Sequence, residues 1–228
     1  MSPSTPSRAA RGAAAPGIRL LLLGATGAVG SRVLAQALAD PRVGQVLAPT
    51  RRPLPEAQGQ ARLVNPVTDL ERLDPDAPWW ACDAVICALG TTIRKAGSQQ
   101  AFAAIDRDLP IRCAEQAKAG GARRYALNSS LGASLKGNFY LRTKAQAEEG
   151  IKALGFEALV IVRPSLIDAE REESRPGEKL GLLVAAGLRP LIPRRYRAVS
   201  AERIAQALLE GALGSEAGLQ VIESEQLQ

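Results

Sequence analysis

Short apolar runs recur along the chain, separated by stretches in which apolar residues return every three or four positions. The first run, residues 18–23, reads Ile18-Arg19-Leu20-Leu21-Leu22-Leu23. It is short and nearly continuous, as expected of a strand buried on both faces of a parallel sheet. Behind it Val29, Val33 and Ala37, with Leu34 and Leu38, fall at helical spacing, so a helix lying on that sheet is expected. Further strands are expected at residues 43–49, 61–65, 83–89, 125–127 and 158–162, and a last one at 219–222. Between them, Leu70, Leu73, Trp79 and Trp80 suggest a short helix, its ends blurred by Pro75 and Pro78. A longer helix is expected from about residue 98 to 118, broken or restarted at Pro110 and ended by Gly120-Gly121. Another opens at Phe139 and closes near Leu154-Gly155. Ser200 caps a final helix to about Leu213, with Glu202 in its first turn. Strand and helix alternating at this spacing describe an α/β fold, a doubly wound parallel sheet.

The joint between the first strand and helix is Gly24-Ala25-Thr26-Gly27-Ala28-Val29-Gly30. Gly24 permits the tight turn, Gly27 lets a pyrophosphate approach the backbone, and Gly30 lets helix and strand pack closely. The spacing is G-x-x-G-x-x-G rather than the commoner G-x-G-x-x-G. The second strand ends in Thr50-Arg51-Arg52-Pro53. An acid at this point binds the adenosine ribose hydroxyls in dinucleotide folds; arginines there suit a 2′-phosphate, which guanidinium groups hold through charge-assisted bonds. The chain at Asp69-Leu70 is expected to pass the adenine edge. The fourth strand ends in small residues, Gly90-Thr91-Thr92, against which a cofactor ribose can lie.

Composition narrows the choices. A chain of 228 residues is long enough for one α/β domain with a substantial core. Aromatic residues make up 4%, which argues against a base-stacking nucleic-acid surface. The net charge of +6 is spread among interleaved acids, as on an ordinary solvated surface, and is compatible with anionic ligands. Histidine is absent, which removes histidine-based triads, histidine-ligated metals and a histidine base; no metal site is expected. Cys82, Cys87 and Cys113 form no C-x-x-C pair and read as core residues, so a reducing cytoplasm fits. No apolar run approaches transmembrane length. Residues 1–17 lack the apolar core of a secretory signal. Their Arg- and Ser-rich, acid-free composition fits either a transit peptide or a disordered extension, and the lack of amphipathic spacing favours the extension.

Tyr140 and Lys144 are four apart on an expected helix and share a face. A phenol with an ordinary pKa near ~10 exchanges protons poorly at neutral pH, and a nearby ammonium stabilises its anion. The lysine can also hold a ribose hydroxyl. Ser129 or Ser130, at the end of the preceding strand, would orient a substrate oxygen. Together such groups give a proton to a carbonyl oxygen as hydride arrives, or take it back. The glycine turn, the arginines, the serines and Tyr140 all follow strand ends, where ligands bind in such sheets.

These motifs resemble the short-chain dehydrogenase/reductase superfamily. More narrowly, the chain is similar to its atypical branch, the Tat-interacting protein family. The resemblance rests on GATGAVG at 24–30, TRRP at 50–53, LGTT at 89–92, NSSLGA at 128–133, FYLRTK at 139–144, VRP at 162–164 and ESRPGE at 173–178. It implies a Rossmann-like NADP(H)-binding fold with a small C-terminal substrate-side extension. It also implies a catalytic Ser130, Tyr140 and Lys144. The cofactor contacts it implies begin with Gly24, Thr26, Gly27, Ala28, Val29, Gly30, Arg51, Arg52, Asp69 and Leu70. They continue through Leu89, Gly90, Thr91, Thr92, Ser129, Tyr140, Lys144, Pro164 and Leu166. The expected activity is NADP(H)-dependent oxidation or reduction of a small carbonyl or alcohol. The alternatives are a non-catalytic NADPH-binding sensor or scaffold and an epimerase-like enzyme. The expected partners are a small-molecule substrate and at most a second copy, as monomer or homodimer, with neither nucleic acid nor membrane.

The expected domain organisation is an extension over 1–17 and one domain over 18–228. Within the latter, residues 165–197 change character: a charged first half holding Pro176-Gly177, then an apolar stretch at 180–188 and arginines at 189, 194, 195 and 197. Two readings fit. One is a flap over the nicotinamide end, with Leu166 and Ile167 lining the pocket. The other is a solvated loop followed by a packed surface helix.

Overall fold

A computed structural model describes residues 17–168 and 193–228. The 1–16 leader, the ESRPGE stretch and most of the expected flap lie outside the described residues. The described chain builds β1 (Ile18–Leu23), α1 (Ala28–Ala39), β2 (Val43–Leu47), β3 (Leu63–Val64) and β4 (Ala84–Cys87). Next come α2 (Ile93–Ala96), α3 (Gln99–Ala103), α4 (Leu109–Ala119), β5 (Arg124–Asn128), α5 (Phe139–Ala153) and β6 (Ala158–Arg163). The remainder is β7 (Ile167–Asp168), β8 (Val199–Ser200), α6 (Ala201–Leu213) and β9 (Gly218–Glu223).

Seven strands form one sheet in the order β3-β2-β1-β4-β5-β6-β9. Every neighbouring pair is parallel. The apolar runs are explained by burial on both faces. Leu20 and Leu22 of β1, Ile86 of β4 and Val160 and Val162 of β6 meet Val33, Leu34 and Ala37 of α1 and Ile204 and Leu208 of α6. Their alternates Leu21, Leu23, Val85, Cys87, Leu159 and Ile161 join Cys113 and Ala117 of α4 and Ile151 of α5 on the other face. Period-two alternation therefore sorts apolar residues between two helical layers instead of separating core from solvent. The strand order reverses between β1 and β4, and ligands bind in the crevice that opens outside the carboxyl ends at such a point.

The structure adds to or corrects the sequence reading in three places. The stretch around Leu70 to Trp80 holds no α-helix, only a single 3₁₀ turn, Pro78–Trp80. Pro75 and Pro78 withhold backbone donors there, and Trp80 is buried by packing with its Nε1 donating to the Asp74 carbonyl at 2.7 Å. The expected 98–118 helix restarts at Pro110, in the first turn of α4, rather than breaking there. It runs through a π-helical turn, Ala104–Asp108, which widens the helix just ahead of the residue that cannot donate an N–H. Finally, β7 and β8 pair in parallel as a separate ribbon, which two-residue strands leave no periodicity to reveal.

Candidate cofactor and active site

The turn after β1 is shaped by contacts that only glycine tolerates. Gly24 has φ +89°, in the left-handed region, and a methyl group on it would stand 2.7 Å from the Ala88 carbonyl oxygen. A methyl on Gly30 would stand 1.9 Å from the Gly24 carbonyl oxygen. Gly27 is the residue before α1, with φ −82°, and its N–H donates to Gly24 O at 3.0 Å. Among the described residues no side chain caps α1, so the first N–H groups of the helix stay available to an anion.

A cleft of about 650 Å³ opens over this turn. Of the cofactor residues expected from sequence, Gly24, Thr26, Gly27, Arg51, Arg52, Asp69, Leu70, Leu89, Gly90 and Thr91 line it. Pro49, Thr50, Glu71, Ala88, Ile105 and Leu109 line it as well and were not foreseen. The arginine turn is held from below. Asn65 Oδ1 accepts the Leu54 N–H at 2.7 Å, and Asn65 Nδ2 donates to Ala48 O at 2.6 Å and to Thr50 Oγ1 at 2.8 Å. Thr50 Oγ1 in turn donates to Arg52 O at 2.6 Å. Arg51 and Arg52 are exposed and have no ion-pair partner among the described residues. Asp69 Oδ1 accepts the Glu71 N–H at 3.0 Å and so fixes the loop across from them.

The remaining expected residues sit elsewhere. Val29 and Gly30 are buried in the first turn of α1, and Ala28 is its exposed first residue. Thr92 caps α2, its hydroxyl accepting the Lys95 N–H at 3.2 Å. Pro164 is buried behind β6, while Leu166 is 75% exposed and outside the cleft. Ile167, expected beside it in the pocket, is also exposed and pairs with Val199.

The loop after β5 carries the serines. Ser129 N–H donates to Val162 O at 2.8 Å and Leu131 N–H to Pro164 O at 2.8 Å, which tie the loop to β6. The Ser129 hydroxyl donates to Glu148 of α5. Glu148 is 1% exposed and also accepts from Arg163 Nε at 3.0 Å, and Arg163 Nη1 reaches Glu223 at 3.0 Å. The hydrogen bonds that Arg163 donates to Glu148 raise the Arg163 pKa, so the guanidinium stays charged. Ser129 is thus committed to the scaffold, and Ser130, half-buried beside it, keeps a free hydroxyl among the described residues.

Helix α5 begins where Asn138 Oδ1 accepts the Leu141 N–H at 3.0 Å. The cap puts half-buried Tyr140 in the first turn, its ring 5.5 Å from that of Phe102. Lys144, one turn on, is buried, and its Nζ lies 2.6 Å from Oδ1 of Asp106. Sequence reasoning missed Asp106. The signal was present: an acid on the apolar face of the 98–118 helix, one turn from both Phe102 and Leu109. Among the described residues no group of His, Cys, Asp or Glu is arranged to hold a metal, and no helix is long and apolar enough to cross a membrane.

The chain is similar to known proteins. The NAD(P)H-binding family profile matches residues 24–211. The protein named fmp52, mitochondrial, from Emericella nidulans is 40% identical over 177 residues, covering 73% of this chain and 74% of that protein. HTATIP2 from Rattus norvegicus is 38% identical over 164 residues, covering 71% and 67%. Among solved structures, MoeE5 in complex with UDP-glucuronic acid and NAD superimposes with a TM-score of 0.68 at 20% identity, covering 90% of this chain and 76% of that one. That likeness speaks for the fold, whereas the sequence matches define kinship. The chain belongs to the NAD(P)H-binding family, among the atypical short-chain dehydrogenase/reductase proteins related to HTATIP2 and fmp52.

Proposed function

We propose that this protein is an NADP(H)-dependent oxidoreductase acting on a small carbonyl or alcohol. The observation that carries the cofactor choice is the pair Arg51 and Arg52, which line the cleft at the end of β2 without ion-pair partners among the described residues. The residues fit the group: glycines leave room for a pyrophosphate at the α1 N-terminus, and two guanidinium groups suit a 2′-phosphate dianion. When bound, NADPH supplies the hydride. Tyr140 gives its phenolic proton to the substrate oxygen and regains one from solvent, and Ser130 orients that oxygen by hydrogen bonding. Lys144 holds a ribose hydroxyl and places positive charge on the side of α5 that carries the phenol.

A second reading, an NADPH-binding sensor without turnover, draws support from the Asp106 carboxylate beside Lys144, which offsets the ammonium charge. The two readings part on one experiment. NADPH and NADH affinities are measured by fluorescence, and a panel of small aldehydes and ketones is then offered with NADPH. The oxidoreductase expectation is NADPH binding well ahead of NADH, with turnover that Tyr140→Phe removes while binding persists. Tight NADPH binding with no turnover across the panel would favour the sensor. Equal affinity for the two cofactors would refute the role given to the arginines.

A further inference from the structure

Three segments border the Tyr140 end of the cleft, each held there by contacts. The first, 91–98, follows β4: Thr91 lines the cleft, and α2 leads into α3, whose Phe102 ring lies 5.5 Å from that of Tyr140 and 6.0 Å from that of Phe139. The second, 130–142, runs from the serine loop into the first turn of α5, and Ser134 N–H donates to the Leu141 carbonyl at 3.2 Å, folding the loop over that turn. The third, 193–200, is bound to the chain leaving β6: Val199 N–H donates to Leu166 O at 2.9 Å, and the Ser165 hydroxyl donates to Arg197 O. Leu131 N–H, donating to Pro164 O, links the second segment to that same chain. Acids make up 23 of the 228 residues, yet none falls in these three segments. They carry instead Arg94, Lys95, Lys136, Arg142, Arg194 and Arg195, all exposed and without an ion pair among the described residues. Asp168 is exposed on β7, and Glu225 lies on the turn packed against 194–196, but neither comes within ion-pair distance of those cations. Ile93, Leu135, Leu166, Ile167 and Tyr196 stay exposed on the same segments and on the link at 164–168. Exposed apolar side chains rimmed by charge mark a surface that receives a ligand.

We propose that this rim selects substrates in which the reacting carbonyl or alcohol is joined through an apolar chain to an anionic group, a carboxylate or a phosphate. This rests on the reading of Tyr140 as the proton donor to the reacting oxygen, and it adds the substrate class. The strand order puts β2, with Arg51 and Arg52, on one side of the switch point and β5 and β6 on the other, so the rim cations serve a different ligand from the 2′-phosphate. The apolar chain covers side chains that otherwise face water. The anion relieves the mutual repulsion of cations gathered without acids between them, and an uncharged aldehyde of the same length gains only the first effect. The field of the rim also gathers anions at the mouth of the cleft, an effect that salt screens.

The test is binding to the NADP+-loaded protein, followed by calorimetry, so it needs no turnover. Straight-chain ω-hydroxy carboxylic acids of increasing length are each compared with the uncharged 1-alkanol of the same length. The acids should bind at least about tenfold more tightly than the alkanols, and their binding should weaken several-fold between about 50 and about 500 mM salt. Reversing charge with Arg94→Glu and Lys95→Glu together, or with Arg194→Glu and Arg195→Glu together, should weaken the acids about tenfold. Arg123→Glu, exposed just before β5 at the opposite end of the sheet, should change them by less than about twofold. The corresponding ω-oxo acids, offered with NADPH, should lead the uncharged aldehydes in kcat/KM. Charge-dependent binding without turnover would favour the sensor and make the same class of anion its ligand. Equal binding of acids and alkanols, or losses no larger in the paired variants than in Arg123→Glu, would overturn the inference and leave the cofactor reading intact. Binding to phosphatidylserine vesicles with no preference for the soluble acids would assign the rim to a membrane surface and overturn it likewise. Failure to bind NADP+ would overturn the cofactor reading, while the same titrations on the cofactor-free protein would still read the rim.

Discussion

The two glycines Gly27 and Gly30 separate what the turn does for the fold from what it does for the ligand. A methyl on Gly30 would lie 1.9 Å from the Gly24 carbonyl oxygen and 3.1 Å from the Ala25 Cα, against a comfortable separation of about 3.5 Å. Both neighbours are backbone, so no rotamer change relieves the overlap, and α1 must move by roughly 1.5 Å. That helix buries Val29, Val33, Leu34 and Ala37 against the sheet, so moving it loosens a whole layer. The cost should sit at the upper end for overpacking, about 3 kcal/mol. At this chain length that lowers Tm by about 6–12 °C. A methyl on Gly27 meets only the Gly24 carbonyl oxygen, at 3.4 Å, and φ there is −82°. Gly27→Ala therefore costs only a less favourable helix cap, about 0.5–1 kcal/mol, or about 1–4 °C. Gly27 lines the cleft, however, and its methyl would stand where a phosphate must approach the backbone. NADPH affinity should fall at least about tenfold, equivalent to about 1.4 kcal/mol. Thermal melting by circular dichroism and NADPH titration read the two effects separately. A Gly30→Ala variant that melts with the unmodified protein, or two variants that lose stability alike, would refute the account.

Replacing Arg51 and Arg52 together with alanine should weaken NADPH about tenfold and leave NADH unchanged, as read by paired titrations. Glu148→Ala leaves Arg163 without its main buried partner and frees Ser129, so urea unfolding should show a loss of about 3–5 kcal/mol; less than about 1 kcal/mol would mean the network does not hold α5 to β6. Hydrogen bonds from Arg42 hold the Asp40 and Glu210 carboxyl groups below their ordinary pKa values. A depressed folded-state value stabilises above the unfolded pKa and is lost as pH falls through the folded one. Arg42→Ala should therefore lower Tm at pH 7, and its gap to the unmodified protein should narrow below about pH 4; a gap that is flat with pH would deny the linkage. Burial pushes the Cys82 thiol up to about 12 and raises Cys87 and Cys113 as well, so all three should resist alkylation at pH 8 until the protein is unfolded.

Most of the strand and helix succession was legible in the chain alone, because each parallel strand carries apolar residues on both faces and each helix an apolar stripe. Glycine spacing announced the turn at Gly24, Gly27 and Gly30, since steric demands on a glycine are local. It also announced the arginines after β2 and the pairing of Tyr140 with Lys144 on one helix face, both matters of position within one element. Features that depend on distant partners emerged only on folding. Ser129 and Ser130 are alike in chemistry, and the arrival of Glu148 and Arg163 from α5 and β6 commits the first to the scaffold. The prolines at 75 and 78 abolished a helix whose apolar spacing was weak, while Pro110 was absorbed by a π-helical turn that no local pattern signals. Asp106 reads in sequence as one misplaced charge in an apolar stripe. It gains meaning only when folding brings Lys144, 38 positions further on, to within an ion-pair distance in a site that excludes water. A charge pair of that kind depends on where two helices cross, and helix crossing is set by the packing of the whole sheet and its layers.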